Sequence, residues 1–167
     1  MVFSNEMVHR AERLLSTARS KRMHLAAAES CTGGLVSALL TEVPGSSDVF
    51  ERGFVTYSNA AKTEMLGVPA EAIRQYGAVS PQVARAMAEG AVACSGADLA
   101  VAITGFAGPG GGTSAKPVGL VEFACAMRGK ETILATERMG DVGREDVRIR
   151  SVATALSLFE RALGDIS

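Results

Sequence analysis

Three short segments of the 167-residue chain hold residues whose types and spacing could do chemistry. The first is Glu29-Ser30-Cys31-Thr32-Gly33-Gly34, which joins an apolar run to a helical pattern. At such a join the first N–H groups of the helix are unpaired and the helix dipole favours negative charge. A serine there can attack a carbonyl while nearby N–H groups stabilise the oxyanion. The same string also fits a plainer role, with Ser30 or Thr32 as a helix cap and the glycines serving a tight turn. The chain has two histidines, His9 and His24. His9 falls on the opening helix. His24 begins the strand that ends near Ser30, and six extended residues span about 20 Å. Neither is placed for a Ser–His or Cys–His pair. By the same argument Cys31 reads as a small buried residue.

The second segment, Thr56-Tyr57-Ser58-Asn59-Ala60-Ala61-Lys62, offers a lysine and a tyrosine as alternative bases. Tyr57 ends a predicted strand and Lys62 lies on the first turns of the next helix. A lysine base must lose its proton near neutral pH, which burial or a neighbouring cation can bring about. The plainer reading is a surface lysine and a partly buried core tyrosine. The third segment is Thr104-Gly105-Phe106-Ala107-Gly108-Pro109-Gly110-Gly111-Gly112-Thr113. It follows a buried strand, where α/β sheets usually bind ligands. Its glycines let backbone amides approach an anion closely, or else form a surface loop. It is not a Walker A loop, because Gly111 stands where lysine is required, and no helix follows as in a dinucleotide fingerprint.

The elements that must position these segments can be read from periodicity. Met7, Ala11, Leu14, Leu15 and Ala18 predict an amphipathic helix over 5–21. Residues 24–28 predict a buried strand, and LVSALLTEV a helix stopped by Pro44-Gly45. A strand over 50–57 and a helix over 59–66 follow, the latter stopped by Gly67. Ser80-Pro81 starts a helix that runs to about Ser95. Residues 98–104 read as a buried strand, and 118–127 with 131–138 as a hairpin. A last helix covers 144–163, with Val152, Leu156, Phe159 and Leu163 as its apolar stripe. The pattern predicts a three-layer α/β/α sandwich with a mixed, about five-stranded sheet, in one domain over 1–167.

Composition bounds the function. With 47% hydrophobic and 21% charged residues the chain is globular, and its net charge of -1 draws it to neither nucleic acid nor anionic membrane. Three cysteines without a CxxC pair argue against disulfides and zinc and for a reducing, cytoplasmic setting. No His/Asp/Glu cluster has metal-ligand spacing, so no metal or cofactor is expected. No signal peptide is visible, and no apolar run reaches the roughly 20 residues of a membrane span.

Taken together the strings AESCTGGLVSALLTEVPGSSDVFERGFVTYSNAAKTEMLGV, GAVSPQVARAMAEGA and ADLAVAITGFAGPGGGTSAKPVG, over most of residues 28–119, closely resemble the CinA C-terminal-domain family, including its stand-alone nicotinamide-nucleotide amidases. The resemblance implies hydrolysis of nicotinamide mononucleotide to nicotinic acid mononucleotide and ammonia, without a metal, on an α/β/α fold. It makes Ser30 the nucleophile and Lys62 and Tyr57 its proton-transfer partners. Thr32, Gly33 and Gly34 become an oxyanion and helix-N-terminal site. Asn59 and the loop residues Thr104, Gly105, Gly108, Gly110 and Gly111 become ligand-binding elements. Where relatives have a compact Gly-Asp-Arg, this chain reads Gly140-Asp141-Val142-Gly143-Arg144, with Arg144 as the arginine aligned to a phosphate. Longer family members carry an N-terminal domain associated with nucleotide pyrophosphatase activity, which is absent from this sequence, so that activity is not expected. Two rivals stand beside the amidase: a non-catalytic ligand-binding or interaction module linked to DNA uptake or repair, and an amidase for another carboxamide. Few aromatics (5%, no Trp) weigh against direct DNA binding. The partner expected is a small nucleotide, with homo-oligomerisation left open.

Overall fold

The computed structural model describes residues 2–164. The chain runs α1 (Asn5–Ser20), β1 (Leu25–Glu29), α2 (Leu35–Glu42), a single 3₁₀ turn, β2 (Phe50–Val55), α3 (Asn59–Leu66), α4 (Ala70–Tyr76), α5 (Pro81–Ala93), β3 (Leu99–Gly105), β4 (Leu120–Met127), β5 (Ile133–Arg138) and α6 (Arg144–Ala162). The five strands form one sheet in the order β2-β1-β3-β4-β5. β1 pairs in parallel with β2 and β3, while β4 and β5 continue antiparallel, so the sheet is mixed as expected.

Helices cover both faces. Because side chains alternate along a strand, Leu25 and Ala27 of β1 pack toward α1, α2 and α6, whereas Ala26 and Ala28 pack toward α3, α4 and α5. The second face is lined by alanines: Ala26, Ala28, Ala100, Ala102, Ala124 and Ala126. Such small residues let α5 lie close to the sheet. α5 in turn meets α3 through Gly90, where an added Cβ would stand 2.0 Å from the Leu66 carbonyl oxygen. β4 is buried along nearly its whole length because both faces are covered, while β5 at the edge alternates between half-buried and exposed. The expected stripes of α1 and α6 are all buried. α4 is an element the pattern did not predict: it is short, has no side-chain cap, and buries Ile73. No helix among the described residues is long and apolar enough to cross a membrane.

The three parallel strands end on one edge of the sheet, at Glu29, Val55 and Gly105. Ligands of open α/β sheets bind outside such carboxyl ends. All three chemistry-bearing segments therefore leave the sheet at the same edge, with β1 in the middle.

Candidate active site

Ser30 follows β1 directly. Its N–H donates to the Ile103 carbonyl of β3 (3.0 Å), and the Glu29 carbonyl accepts from Thr56 N–H beyond β2 (2.8 Å). The sheet thus fixes the backbone on both sides of the serine before the chain turns. Gly33 N–H then donates to the Ser30 carbonyl (3.0 Å), and Gly33 and Gly34 take left-handed φ of +56° and +106°, which glycine adopts without strain.

Lys62 meets this serine from the neighbouring element. Ser58 caps α3 by accepting from Ala61 N–H (3.0 Å), so α3 starts just past β2 and Lys62 falls on its first turn. The residue is only 2% exposed. Lys62 Nζ lies 3.1 Å from Ser30 Oγ and donates to the Thr56 carbonyl at 2.9 Å. Burial pushes the amine below the ordinary lysine range, because the charged form loses its hydration. A charged ammonium donates to Oγ across this contact. A neutral amine accepts the Oγ proton across the same distance.

Cys31 is buried, and burial pushes its thiol up to about 12. At neutral pH it is an uncharged thiol and a poor nucleophile. His24 stands at the opposite end of β1, where its N–H donates to Asp98 Oδ2 (2.8 Å).

Tyr57 is 63% exposed, unlike the partly buried tyrosine that spacing alone allows. Its hydroxyl accepts from Arg144 Nη2 (2.9 Å), and Arg144 Nη1 donates to the Gly108 carbonyl (2.7 Å). Arg144 therefore bridges the β2–α3 corner and the glycine loop. Ser30, Cys31, Tyr57, Gly105, Gly108, Gly110 and Arg144 line, with Phe106 and Ala107, one open cavity of about 200 Å³. The structure brings together Ser30, Lys62, Tyr57, Arg144 and these loop glycines.

It does not bring in every predicted residue. Asn59 lines a different cavity, between α3 and α4, with Thr63, Ile73 and Arg74. Thr104 turns its hydroxyl away to the Ala78 carbonyl (2.8 Å). Thr32, Gly33, Gly34 and Gly111 do not line the Ser30 cavity. The N-terminus of α2 is already filled by Glu29, a fully buried carboxylate. Its Oε1 accepts from Val36 N–H (2.9 Å), and its Oε2 accepts from Ser37 N–H (3.1 Å) and Ser37 Oγ–H (2.8 Å). The expected anion site at this helix end is thus occupied by the protein's own side chain. The Thr32 and Thr56 hydroxyls are buried without a hydrogen-bond partner among the described residues.

Sequence reasoning passed over Glu29, Arg148 and Lys116. Arg148 Nε and Nη2 donate to the Cys31 and Thr32 carbonyls (3.1 and 3.3 Å). Lys116 Nζ donates to the Tyr76 and Val79 carbonyls (2.6 and 2.8 Å), tying the glycine loop to the α4–α5 corner. One sequence signal was available for Arg148: it stands four residues after Arg144 and so shares its helix face. Among the described residues no group of three or more His, Cys, Asp or Glu is placed to hold a metal.

The class is a mixed α/β domain whose sheet sets a buried lysine 3.1 Å from a serine at its carboxyl edge. Comparison with known proteins names the family. Residues 8–163 match the CinA C-terminal domain model, and the chain belongs to that family. It is 64% identical over 107 residues to a CinA-like protein of Akkermansia muciniphila, covering 64% of this chain and 26% of the relative. It is 54% identical over 139 residues to a CinA-like protein of Mycolicibacterium vanbaalenii, covering 83% of this chain and 33% of the relative. The chain thus spans about a third or less of those relatives. Among solved structures, the competence/damage inducible protein CihA from Agrobacterium tumefaciens superposes with a TM-score of 0.94 at 46% identity, covering 97% of this chain and 98% of that one. A CinA superfamily protein from Escherichia coli gives 0.89 at 31% identity, covering 96% and 93%.

Proposed function

We propose that the chain is an amidohydrolase that cleaves the carboxamide of nicotinamide mononucleotide. The observation that carries the reading is the buried Lys62 amine 3.1 Å from Ser30 Oγ. Neutral Lys62 takes the Oγ proton as Oγ bonds to the carboxamide carbon. The tetrahedral intermediate then collapses. The C–N bond breaks, Lys62 returns the proton to the leaving nitrogen, and ammonia departs. Water, deprotonated by the same amine, attacks the acyl-enzyme and releases nicotinic acid mononucleotide and Ser30. Tyr57, held by Arg144 at the cavity wall, serves proton transfer or substrate orientation from the solvent side. Arg144 is the cation available for the substrate phosphate, since Glu29 fills the α2 N-terminus.

The test is ammonia release from nicotinamide mononucleotide, with the riboside and NAD as comparators and Ser30→Ala as the control. The expected result is turnover of the mononucleotide, much weaker turnover of the riboside, and none with Ser30→Ala. Turnover by folded Ser30→Ala protein sinks the serine mechanism. No ammonia from the mononucleotide, with release from another carboxamide, moves the reading to a different substrate.

A further inference from the structure

α6 carries two arginines one turn apart, and they do different things. Arg144 reaches the cavity, whereas Arg148 does not line it. Half-buried behind the turn, Arg148 holds the Cys31 and Thr32 carbonyls, the first two after Ser30's own. In a trans peptide the N–H and the C=O point in opposite directions. The Thr32 N–H, at the other end of the peptide whose carbonyl Arg148 holds, is therefore turned away from α6. It has no acceptor among the described residues.

Part of this turn holds itself: the Thr32–Gly33 peptide donates its N–H to the Ser30 carbonyl and its own carbonyl accepts from Leu35 N–H (both 3.0 Å), whereas the Cys31–Thr32 peptide is held through its carbonyl by Arg148. Gly33 and Gly34 follow at positive φ and give the backbone wide conformational freedom. Glu29 grips the helix beyond them, at Val36 and Ser37, and leaves the Cys31–Thr32 peptide unrestrained from that side. Cys31 lines the Ser30 cavity although Thr32 does not; were their shared peptide to flip, its carbonyl would leave Arg148 and its N–H would turn toward Arg148 instead. Negative charge would then oppose an oxyanion developing on the substrate, where catalysis needs donors. We propose that Arg148 is a positioning residue of this site. By holding the Cys31 carbonyl, and sharing the Thr32 carbonyl with Leu35 N–H, it keeps the Cys31–Thr32 peptide dipole behind Ser30 in the sense that favours an oxyanion. Gly33 belongs to the same contact: an added Cβ there would stand 3.3 Å from Arg148 Nη2.

The inference rests on the reading of Ser30 as nucleophile, so its test uses a probe that does not depend on the physiological substrate. The rate at which a small alkyl fluorophosphonate labels Ser30 is followed by intact mass for the wild type, Arg148→Met and Arg148→Lys. All are measured well below their melting temperatures, and the binding of nicotinamide mononucleotide is measured in each on a Ser30→Ala background. Arg148→Met is expected to label about 10²-fold more slowly, the scale of losing one oxyanion donor, with mononucleotide affinity within about threefold. Arg148→Lys keeps the charge but cannot fork to both carbonyls, so it falls between. Methylguanidinium added to Arg148→Ala restores part of the rate. Labelling of folded Arg148→Met at the wild-type rate overturns the proposal and leaves the serine reading intact. A parallel loss of mononucleotide affinity overturns it in favour of a ligand-binding arginine. A wild type that neither labels at Ser30 nor releases ammonia removes the serine reading itself, and this inference with it.

Discussion

Replacing Lys62 by arginine separates a lysine that moves a proton from one that only supplies charge. In water a lysine amine titrates near ~10.4, so at pH 7.4 about one molecule in a thousand is neutral. Each unit by which burial lowers that value raises the neutral fraction tenfold, and Lys62 is lowered by burial. A guanidinium at the same place keeps the positive charge but stays protonated throughout. General-base catalysis contributes about 10²- to 10⁴-fold, so Lys62→Arg should lose that much in kcat/KM, about 2.7 to 5.4 kcal/mol of transition-state stabilisation. Lys62→Met, closer in size to the buried side chain, should lose a similar amount. The assay is ammonia release from nicotinamide mononucleotide between pH 5.5 and 9.5, with circular dichroism confirming the fold of each variant. The wild-type profile should rise through an ionisation below the ordinary lysine range, and this ionisation should vanish in both variants. Retention of more than about a tenth of the activity by Lys62→Arg would refute the reasoning. So would a wild-type profile that still climbs at pH 9.5 as an unperturbed lysine requires.

Other expectations follow from the same geometry. Cys31→Ala should keep most of the activity, because its thiol is buried and pushed up to about 12, and a dead but folded variant would show that Cys31, not Ser30, is the nucleophile. Glu29→Gln should lower the unfolding free energy by about 2 to 3 kcal/mol in urea titrations, since the amide retains one acceptor oxygen and points a donor at N–H groups. An unchanged midpoint contradicts that role. Arg144→Met should remove most of the preference for the mononucleotide over the riboside, read as the ratio of their kcat/KM values, and a preserved ratio places the phosphate elsewhere. Lys62 also makes stability depend on pH. Its folded-state value lies below its unfolded one, so the unfolded chain binds more protons in the window between them. Relative to Lys62→Met, the wild type should gain stability as pH rises through that window toward ~10.4, and a constant difference speaks against a perturbed lysine.

Much of the scaffold was legible because local chemistry and tertiary packing agree. α3 has the predicted bounds of 59–66, since Ser58 supplies the cap and Gly67 the left-handed stop. α5 starts at Pro81 behind the Ser80 cap. α4 was not legible: Pro69 gives no side-chain cap and Ile73 alone is buried, so no apolar stripe marks it. That omission explains Asn59, which stands near Tyr57 and Lys62 in sequence but lines a cavity that α4 helps to build. The approach of Lys62 to Ser30 was partly legible, because parallel neighbouring strands end on one edge. Its degree of burial was not, since it depends on packing by distant elements. Arg148 reaches its carbonyls across 117 and 116 residues of sequence, beyond any local pattern. Glu29 was visible only as a polar residue beside the serine, and its partners depend on how the turn closes.

The carboxylate of Glu29 has a consequence for how this domain can diversify. A helix end that holds its own anion has no vacancy for a ligand's, so the backbone beside Ser30 is insulated from changes in what is bound. On the proposed reading, charge recognition falls to a side chain, Arg144, on a separate helix at the cavity wall. A single codon can alter that side chain without disturbing the turn that carries Ser30. If Arg144 reads the ligand's charge and Ser30 reacts, as proposed, selection can retune the wall while the turn stays fixed. In a loop that cradles phosphate with the same amides that position its catalytic residue, the two functions must change together.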